Sequence, residues 1–442
     1  MALGAGGGQQ VGACGGHALL WTGSAASCVD LTPFAGWTAE AWATNGSQQV
    51  GTGGPLGTYE AHALVWSGSA GSCIDLNAFL PPGFIGSVAR GIDEEGRIVG
   101  RAFLEGGAYH AVMWVPTLSW TGSIDNKWNA GLAANWSRGV AVAYKEGDHV
   151  VFCDTSAPTA QVDITTTVNP GSVVVNNSAT AFELGGAGSI AGASGLTKDG
   201  TGALTLATHN AYTGETRINA GTVIVAAEGA LGASAVRLGD TTGSSNAGLL
   251  VAGAFTVDRN ITVQDDGSAS STRTLGGTNT SGTAVFSGGI TLDRDLTLTA
   301  APGGAVRLAG ALDNSEGHTI TKVGGGTVIF DAFQTHGPGA LLDVDAGTVY
   351  LNTDAGSGTS ANLSITVTDA VVRFGANQHL DTLNIGDGGE VVFAGAHVVV
   401  LKHLVMGGID FGATTLTPEP ATLSLLALGG ALALLRRRSA SS

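Results

Sequence analysis

The stretches HALLW (17–21), HALVW (62–66) and HAVMW (110–114) carry apolar side chains on both faces. A strand apolar on both faces is covered on both sides, so these three predict inner strands. His17, His62 and His110 are equivalent, as are Trp21, Trp66 and Trp114. Longer phrases return around them: QQVGACGGHALLWTGSAASCVDL from Gln9, QQVGTGGPLGTYEAHALVWSGSAGSCIDL from Gln48, and RIVGRAFLEGGAYHAVMW from Arg97. A period of roughly 45 residues with several short strands predicts propeller-like blades over residues 1–116. From about Leu118 the pattern changes. Short bursts such as SVVVNN, ALTL, TVIVAA, AVRLGD and ITLDRDLTLTA alternate apolar residues with Thr, Asn or charge. That period of two predicts short strands with one face buried, and Gly, Asn and Asp between them supply the corners. This second pattern fills 117–417.

A third pattern closes the chain: TPEPATLSLLALGGALALLRRRSASS, residues 417–442. Residues 421–435 carry no charge, and as a helix they would extend ~22 Å at 1.5 Å per residue, against a hydrocarbon core of ~30 Å. The run predicts a short C-terminal transmembrane helix. Arg436, Arg437 and Arg438 end it and act as a stop-transfer cluster, which places the preceding chain outside the cytoplasm. Pro418, Glu419 and Pro420 stand just before it, where the prolines hold the backbone extended.

Composition supports an all-β reading. Charged residues are only 12% of the 442 and glycine numbers 71, roughly half and twice the usual shares. The chain is too apolar for disorder, at 43% hydrophobic, and turn-dense β structure uses glycine at its corners. Eleven prolines exclude a collagen-like stalk. A net charge of −16 repels phosphate backbones, so nucleic acid is not an expected partner. Cys14, Cys28, Cys73 and Cys153 form no CxxC pair and suggest no zinc site. Their disulfide pairing does not follow from the sequence. The start, MALGAGGGQQVGACGG, lacks the basic and apolar regions of a secretory signal. Export therefore leads to the expectation of further repeats and a signal peptide upstream.

Three resemblances follow from these residues. GIDEEGRIVG (91–100) and ATNGSQQVG (43–51), each joined to an HAxxW strand, resemble HAF-type extracellular repeats. The module GLTKDGTGALTLATHNAYTGETRINAGTVIV (195–225) resembles the autotransporter-associated β-strand repeat. TITKVGGGTVIF…DVDAGTVYL (319–351) echoes it more weakly, with Lys198 matching Lys322 and Ala220-Gly221-Thr222-Val223 matching Ala346-Gly347-Thr348-Val349. This second resemblance implies a right-handed parallel β-helix, a solenoid whose coils bury their interior against neighbouring coils. Autotransporters end in an outer-membrane barrel, and no such run of amphipathic strands follows Thr417. Residues 418–442 resemble the PEP-CTERM sorting signal, which implies transient insertion in the inner membrane and cleavage by an exosortase near Pro418-Glu419-Pro420. The body would then be released or transferred to the cell surface.

The search for chemistry yields few candidates. Asp265-Asp266, Asp293 with Asp295, and Asp343 with Asp345 are carboxylate pairs that could bind calcium or act as acid and base on a polysaccharide, or be solvated corners of a rung. His17, His62 and His110 could ring a metal, or tie adjacent strands. Trp128 and Trp136, in the loop-like opener LSWTGSIDNKWNAGLAANWS, are candidates for stacking on sugar rings. No GKS/GKT phosphate loop, GxSxG, HExxH or GGxGxD motif occurs. The reading is thus of an exported, non-enzymatic surface or matrix protein with a structural or adhesive role. No resident cofactor is expected, and structural calcium at the carboxylate pairs is the alternative to none. Exosortase is the expected partner, with an exopolysaccharide or a host or neighbour surface as the adhesion target. The alternative is a polysaccharide-binding or polysaccharide-cleaving β-helix.

Overall fold

The computed structural model describes all residues except 59, 139, 155–159, 418–422, 429–430 and 437–442. For 423–428 and 431–436 it describes the backbone only. The chain divides into two compact units, Met1–Thr117 and Leu118–Ser442. Both are built of strands, and among the described residues the only helical turns are three short 3-10 segments in the first unit.

The first unit holds three antiparallel meanders. Sheet A contains β1 (Ala2–Gly6), β2 (Gln9–Cys14), β3 (His17–Trp21) and β4 (Val29–Asp30). Sheet B contains β5 (Trp37–Thr44), β6 (Gln49–Pro55), β7 (His62–Trp66) and β8 (Ile74–Asp75). Sheet C contains β9 (Phe84–Ile92), β10 (Ile98–Leu104) and β11 (Tyr109–Trp114). The recurring Val-Gly step has a steric cause. Gly12, Gly51 and Gly100 each lie opposite a β-bulge in the first strand of their sheet. A Cβ there would sit 1.9–2.0 Å from the carbonyl oxygen of Met1, Glu40 or Val88, so only glycine fits.

The sheets lie face to face. Leu64 and Trp66 of β7 pack on Val11, Ala18 and Leu20 of sheet A, while Val50, Ala63 and Val65 pack on Ala89 and Ile98 of sheet C. Sheet B is therefore covered on both sides, as its HALVW stretch predicted. Sheets A and C are each covered on one side among the described residues, so HALLW and HAVMW are not the doubly covered inner strands their pattern predicted, and the three sheets form a stack. The expectation of propeller-like blades is not met among the described residues, where three sheets stack face to face instead of arranging around a central channel as propeller blades do.

The second unit is a parallel β-solenoid. Its strands line up into three sheets, of twelve, fifteen and nine strands among the described residues. Burial alternates along each strand: in Leu296–Ala300 the residues Leu296, Leu298 and Ala300 are buried and the two threonines between them are not. Successive coils stack in register, so interior side chains form ladders such as Phe182, Leu204, Val223, Leu249, Leu275 and Leu298. One continuous core runs from Leu118 to Met406. Each rung supplies only a few apolar side chains, so stability comes from rung-on-rung contact.

Both ends of the solenoid abandon parallel pairing. At the start, Thr117–Trp120, Trp136–Ser137 and Ala141–Val142 pair antiparallel. At the far end, Ile409–Asp410 and Thr414–Leu416 fold back antiparallel on Val399–Met406. Such closures occupy donors and acceptors that would otherwise invite another chain. The nine-stranded sheet is continued by Leu423–Leu428, antiparallel to Glu390–Phe393, and by Ala431–Arg436 beyond it.

This last pairing corrects the expected helix over 421–435. No helix among the described residues is long and apolar enough to cross a membrane. The physical reason is the open edge of Glu390–Phe393. An uncharged segment beside it satisfies its backbone groups by strand pairing, whereas in hydrocarbon only hydrogen bonds within the segment or a closed barrel would serve.

Candidate functional site

The predicted processing motif, Pro418, Glu419 and Pro420, lies outside the described residues, as do Arg437 and Arg438. Arg436 ends the last strand, Ala431–Arg436. The strand that precedes the motif is Thr414–Leu416, which pairs with Val399–Leu401 and ties the end of the solenoid body to its last coil.

The repeat module 195–225 turns on Lys198. This side chain is fully buried, at an inward position between Val175 and Ile218 of neighbouring coils. Its Nζ donates to the carbonyls of Asp199 (2.6 Å), Gly200 (2.7 Å) and Ala220 (3.3 Å), the last on the next coil. Lys322 repeats the arrangement with Val323 (2.9 Å), Gly324 (2.7 Å) and Ala346 (2.9 Å). The ammonium thus fastens a glycine corner to the coil that follows. Gly221 and Gly347 must lack a side chain because the corner beneath crowds them, and both adopt positive φ, 72° and 74°. The spacing from lysine to Ala-Gly-Thr-Val, visible as a repeat in sequence, is this clamp. Burial pushes both ammonium groups down to about 8. The two modules use different sheets. Lys198 is in the twelve-stranded sheet and Lys322 in the fifteen-stranded one, so the second copy is shifted by one side of the coil.

Trp128 and Trp136 are not exposed for sugar stacking. Both are buried, with Trp120, Tyr144 and Phe152. The ring centroids of Trp136 stand 5.0 Å from Trp120, 5.3 Å from Trp128 and 5.4 Å from Phe152. These rings form an aromatic plug on the first coil. The opener reads as a loop because its apolar residues follow neither period, yet it folds across the open end, where large rings cover the exposed rung.

The carboxylate candidates separate by environment. Asp343 lies in the strand Leu341–Val344 and Asp345 just after it. The Asp343 carboxyl is raised by burial and then by Asp345. Asp265, Asp293 and Asp295 line an open cleft of about 290 Å³ with Gly267, Ser268, Ala269, Arg294 and His318. Burial raises Asp293, and Glu316 and Asp265 add to the rise. Asp266 does not line this cleft, and its side chain is fully buried. It accepts from Arg273 Nη2 (2.7 Å), Arg294 Nη1 (2.6 Å), Ser271 Oγ (2.6 Å) and the Ser268 amide (2.9 Å). Burial alone would raise its carboxyl, but these partners outweigh it and hold it well below the usual carboxylate range. Arg273 also donates to Ser245 O (2.8 Å), and Arg294 to Ser271 O (2.7 Å). Sequence reasoning paired Asp266 with Asp265 and missed this Arg–Asp–Arg cluster. The one signal was an arginine heading the apolar strand Arg273–Gly277.

The repeated histidines tie strands rather than ring a metal. His17 Nδ1 lies 2.8 Å from Asp30 and His62 Nδ1 lies 2.6 Å from Asp75, joining third to fourth strand in sheets A and B. His110 packs edge-on to Phe84 instead. No group of three metal-ligating side chains occurs among the described residues. Cys14, Cys28 and Cys73 are not joined in disulfides.

His336 is buried, 3.2 Å from Gln334 Oε1 and 3.4 Å from the Asn314 amide nitrogen. Burial lowers it from 6.5 to about 4. Between these values the unfolded chain binds a proton that the folded chain does not. Stability is therefore lost as pH falls from 6.5 toward 4, by about 3 kcal/mol when complete. Urea melts of the wild type should show this acid-side loss, and His336→Gln should flatten it over that window.

Fold and tail together define an all-β solenoid protein carrying a sorting tail. Residues 196–225 match the Passenger-associated-transport-repeat, and residues 416–439 match the PEP-CTERM protein-sorting motif. No curated protein and no solved structure matches the chain. The repeat match covers the module fastened by Lys198.

Proposed function

We propose that this chain is an exported, non-enzymatic structural or adhesive protein of the cell surface or extracellular matrix, sorted by an exosortase through its C-terminal tail. The observation that carries the reading is the PEP-CTERM match at 416–439, placed directly after a solenoid that is closed at Thr414–Leu416. The body is closed by Thr414–Leu416 before the tail begins, so removing the tail would uncover one edge strand, Glu390–Phe393, and leave the coils paired with one another. The passenger-type repeat at 196–225 supports a surface role, and so does a long solenoid whose core presents little chemistry. In this reading residues 421–435 form a helix on entering the inner membrane, and 423–428 and 431–436 give up their strand pairing, since a lone strand there would leave its backbone unsatisfied. Arg436, Arg437 and Arg438 hold the cytoplasmic side. The HAF-type reading of residues 1–116 belongs to the same proposal, supported by the three equivalent meanders.

Mass spectrometry of the mature C-terminus tests the reading. Surface-isolated protein should end near Pro418 and lack Arg436, Arg437 and Arg438. An intact RRRSASS end on exported protein would overturn sorting by cleavage, and full-length protein confined to the cytosol would overturn export.

A second reading is favoured by the cleft at Asp265, Asp293 and Asp295. There the acidic side chains, His318 and Arg294 face open space at a corner of the coil, as a polysaccharide-binding or polysaccharide-cleaving solenoid would require. Incubation with glycans tests it: chain shortening or unsaturated products that disappear in Asp293→Asn would establish this reading over the structural one.

A further inference from the structure

The fifteen-stranded and nine-stranded sheets both reach the far end of the solenoid, and they finish differently. The fifteen-stranded sheet is closed by the body itself, where Ile409–Asp410 and Thr414–Leu416 fold back on Val399–Met406. The nine-stranded sheet leaves the edge of Glu390–Phe393 to the tail. Glu390, Val391 and Val392 pair with Leu426, Leu425 and Ser424, and Leu423–Leu428 pairs in turn with Ala431–Arg436. Sheet edges are commonly guarded by lysine, proline or a bulge. The edge Glu-Val-Val-Phe has neither lysine nor proline, so the tail is what occupies it.

The direction of the backbone groups fixes which residues hold the tail. The Ala394 amide donates to Phe374 O on the preceding coil (2.9 Å). Backbone groups point alternately to the two sides of a strand, so Val392 also faces the preceding coil and Val391 faces the tail. Val391 and Leu425 are then a hydrogen-bonded pair. Glu390 and Leu426 are the close, non-bonded pair beside it, with Cα atoms ~4.5 Å apart. The docked tail also brackets the processing motif. Thr414–Leu416 is fixed on Val399–Leu401 and Leu423–Leu428 on Glu390–Val392. Pro418, Glu419 and Pro420 fall in the six residues between these two strands, a tether that spans at most ~25 Å. With both of its ends held, neither the motif nor the apolar run can move away from the body.

We propose that this pairing is a latch on sorting: docked on Glu390–Phe393, the tail is withheld from the membrane and its motif from processing, and undocking presents both together. The use of the motif rests on the sorting reading, whereas the docking does not. The sheet edge and the bilayer compete for the same backbone groups of the tail, which the edge satisfies by strand pairing and the bilayer only within a helix. The apparent membrane affinity is therefore the intrinsic one multiplied by the fraction of chains whose tail is undocked.

Hydrogen exchange of the full chain tests the latch, with and without vesicles of phosphatidylethanolamine and phosphatidylglycerol. Without vesicles the Val391 amide should be protected. With them it should exchange at least about tenfold faster, as a local opening of the edge requires, while Ala370–Phe374 on the preceding coil stays protected. Cysteine pairs check the register. Glu390→Cys with Leu426→Cys should form a disulfide on mild oxidation, because the Cα separation suits one. Glu390→Cys with Leu434→Cys should not, because Leu434 lies one strand further out. The linked chain should bind the vesicles at least about tenfold less than the same chain after reduction. A Val391 amide that exchanges freely in the vesicle-free chain would overturn the latch, as would equal linking of the two cysteine pairs. So would a vesicle-bound chain whose Val391 amide stays protected, or a reduced chain that binds no vesicles. None of these results changes the mature C-terminus that decides sorting, and an intact RRRSASS end on exported protein would leave the docked tail standing.

Discussion

Asp266→Ala should destabilise the solenoid by about 3–5 kcal/mol, because it strands two buried guanidinium groups. In the wild type, the fully buried Arg273 and the nearly buried Arg294 share this one carboxylate. Removing a buried counter-ion costs more than the pair contributes, since the remaining charge has been taken from water with nothing to compensate it. Asp265→Ala is the control. Its carboxylate is adjacent in sequence but accepts only a local amide, that of Gly267 at 3.0 Å, beside the open cleft, and its loss should cost less than about 1 kcal/mol. Urea midpoints of the two variants, read at pH 7, give the comparison. Equal effects would show that the buried cluster does not hold this corner. The pH dependence has a definite sign. The folded carboxyl lies below its unfolded value, so its contribution is present above pH ~4 and is lost as pH falls further.

Trp136→Ala should cost about 3–5 kcal/mol, the range for deleting a large buried ring, and its effect should be local. Trp136 touches Trp120, Trp128, Tyr144 and Phe152 within one plug. In a solenoid each coil is stabilised by its neighbours alone. Loss of the plug should therefore fray the first coils and leave distant ones intact. Hydrogen exchange should accelerate at His149–Cys153 and Gln161–Ile164, and remain unchanged at Ser364–Val367 and Gln378–Ile385. Uniform acceleration along the chain would show that the solenoid melts as one unit and that the plug is not a local cap.

The tryptophan plug also shows why sequence reasoning reached the strands and missed their ends. Period-two bursts such as LTLTA identify strands because alternation is a local property of the backbone. The HALVW stretch likewise announced a sheet covered twice, whereas HALLW and HAVMW carry the same pattern and are covered on one side only, because neighbouring sheets and not the strand itself decide coverage. The opener has no period, so Trp128 and Trp136 read as exposed loop residues until the first coil is seen to need covering. Asp266 was misplaced for a similar reason: Arg273 and Arg294 arrive from later parts of the coil, and nothing at Asp265-Asp266 itself distinguishes the buried carboxylate from the exposed one.

The lysine modules mark the division between the two kinds of information. The sequence by itself determined that the chain is all β, that short strands repeat, that Lys198 and Lys322 belong to matching modules, and that a proline-flanked apolar tail ends in arginines. These are properties of composition, spacing and order. Only the tertiary structure decided that the two lysines clamp corners of different sheets, that three equivalent meanders form a stack instead of a ring, and that residues 423–428 and 431–436 pair as strands. Each of these depends on which backbone groups and side-chain faces are left unsatisfied once neighbouring coils are in place, and that is fixed by contacts between residues far apart in the chain.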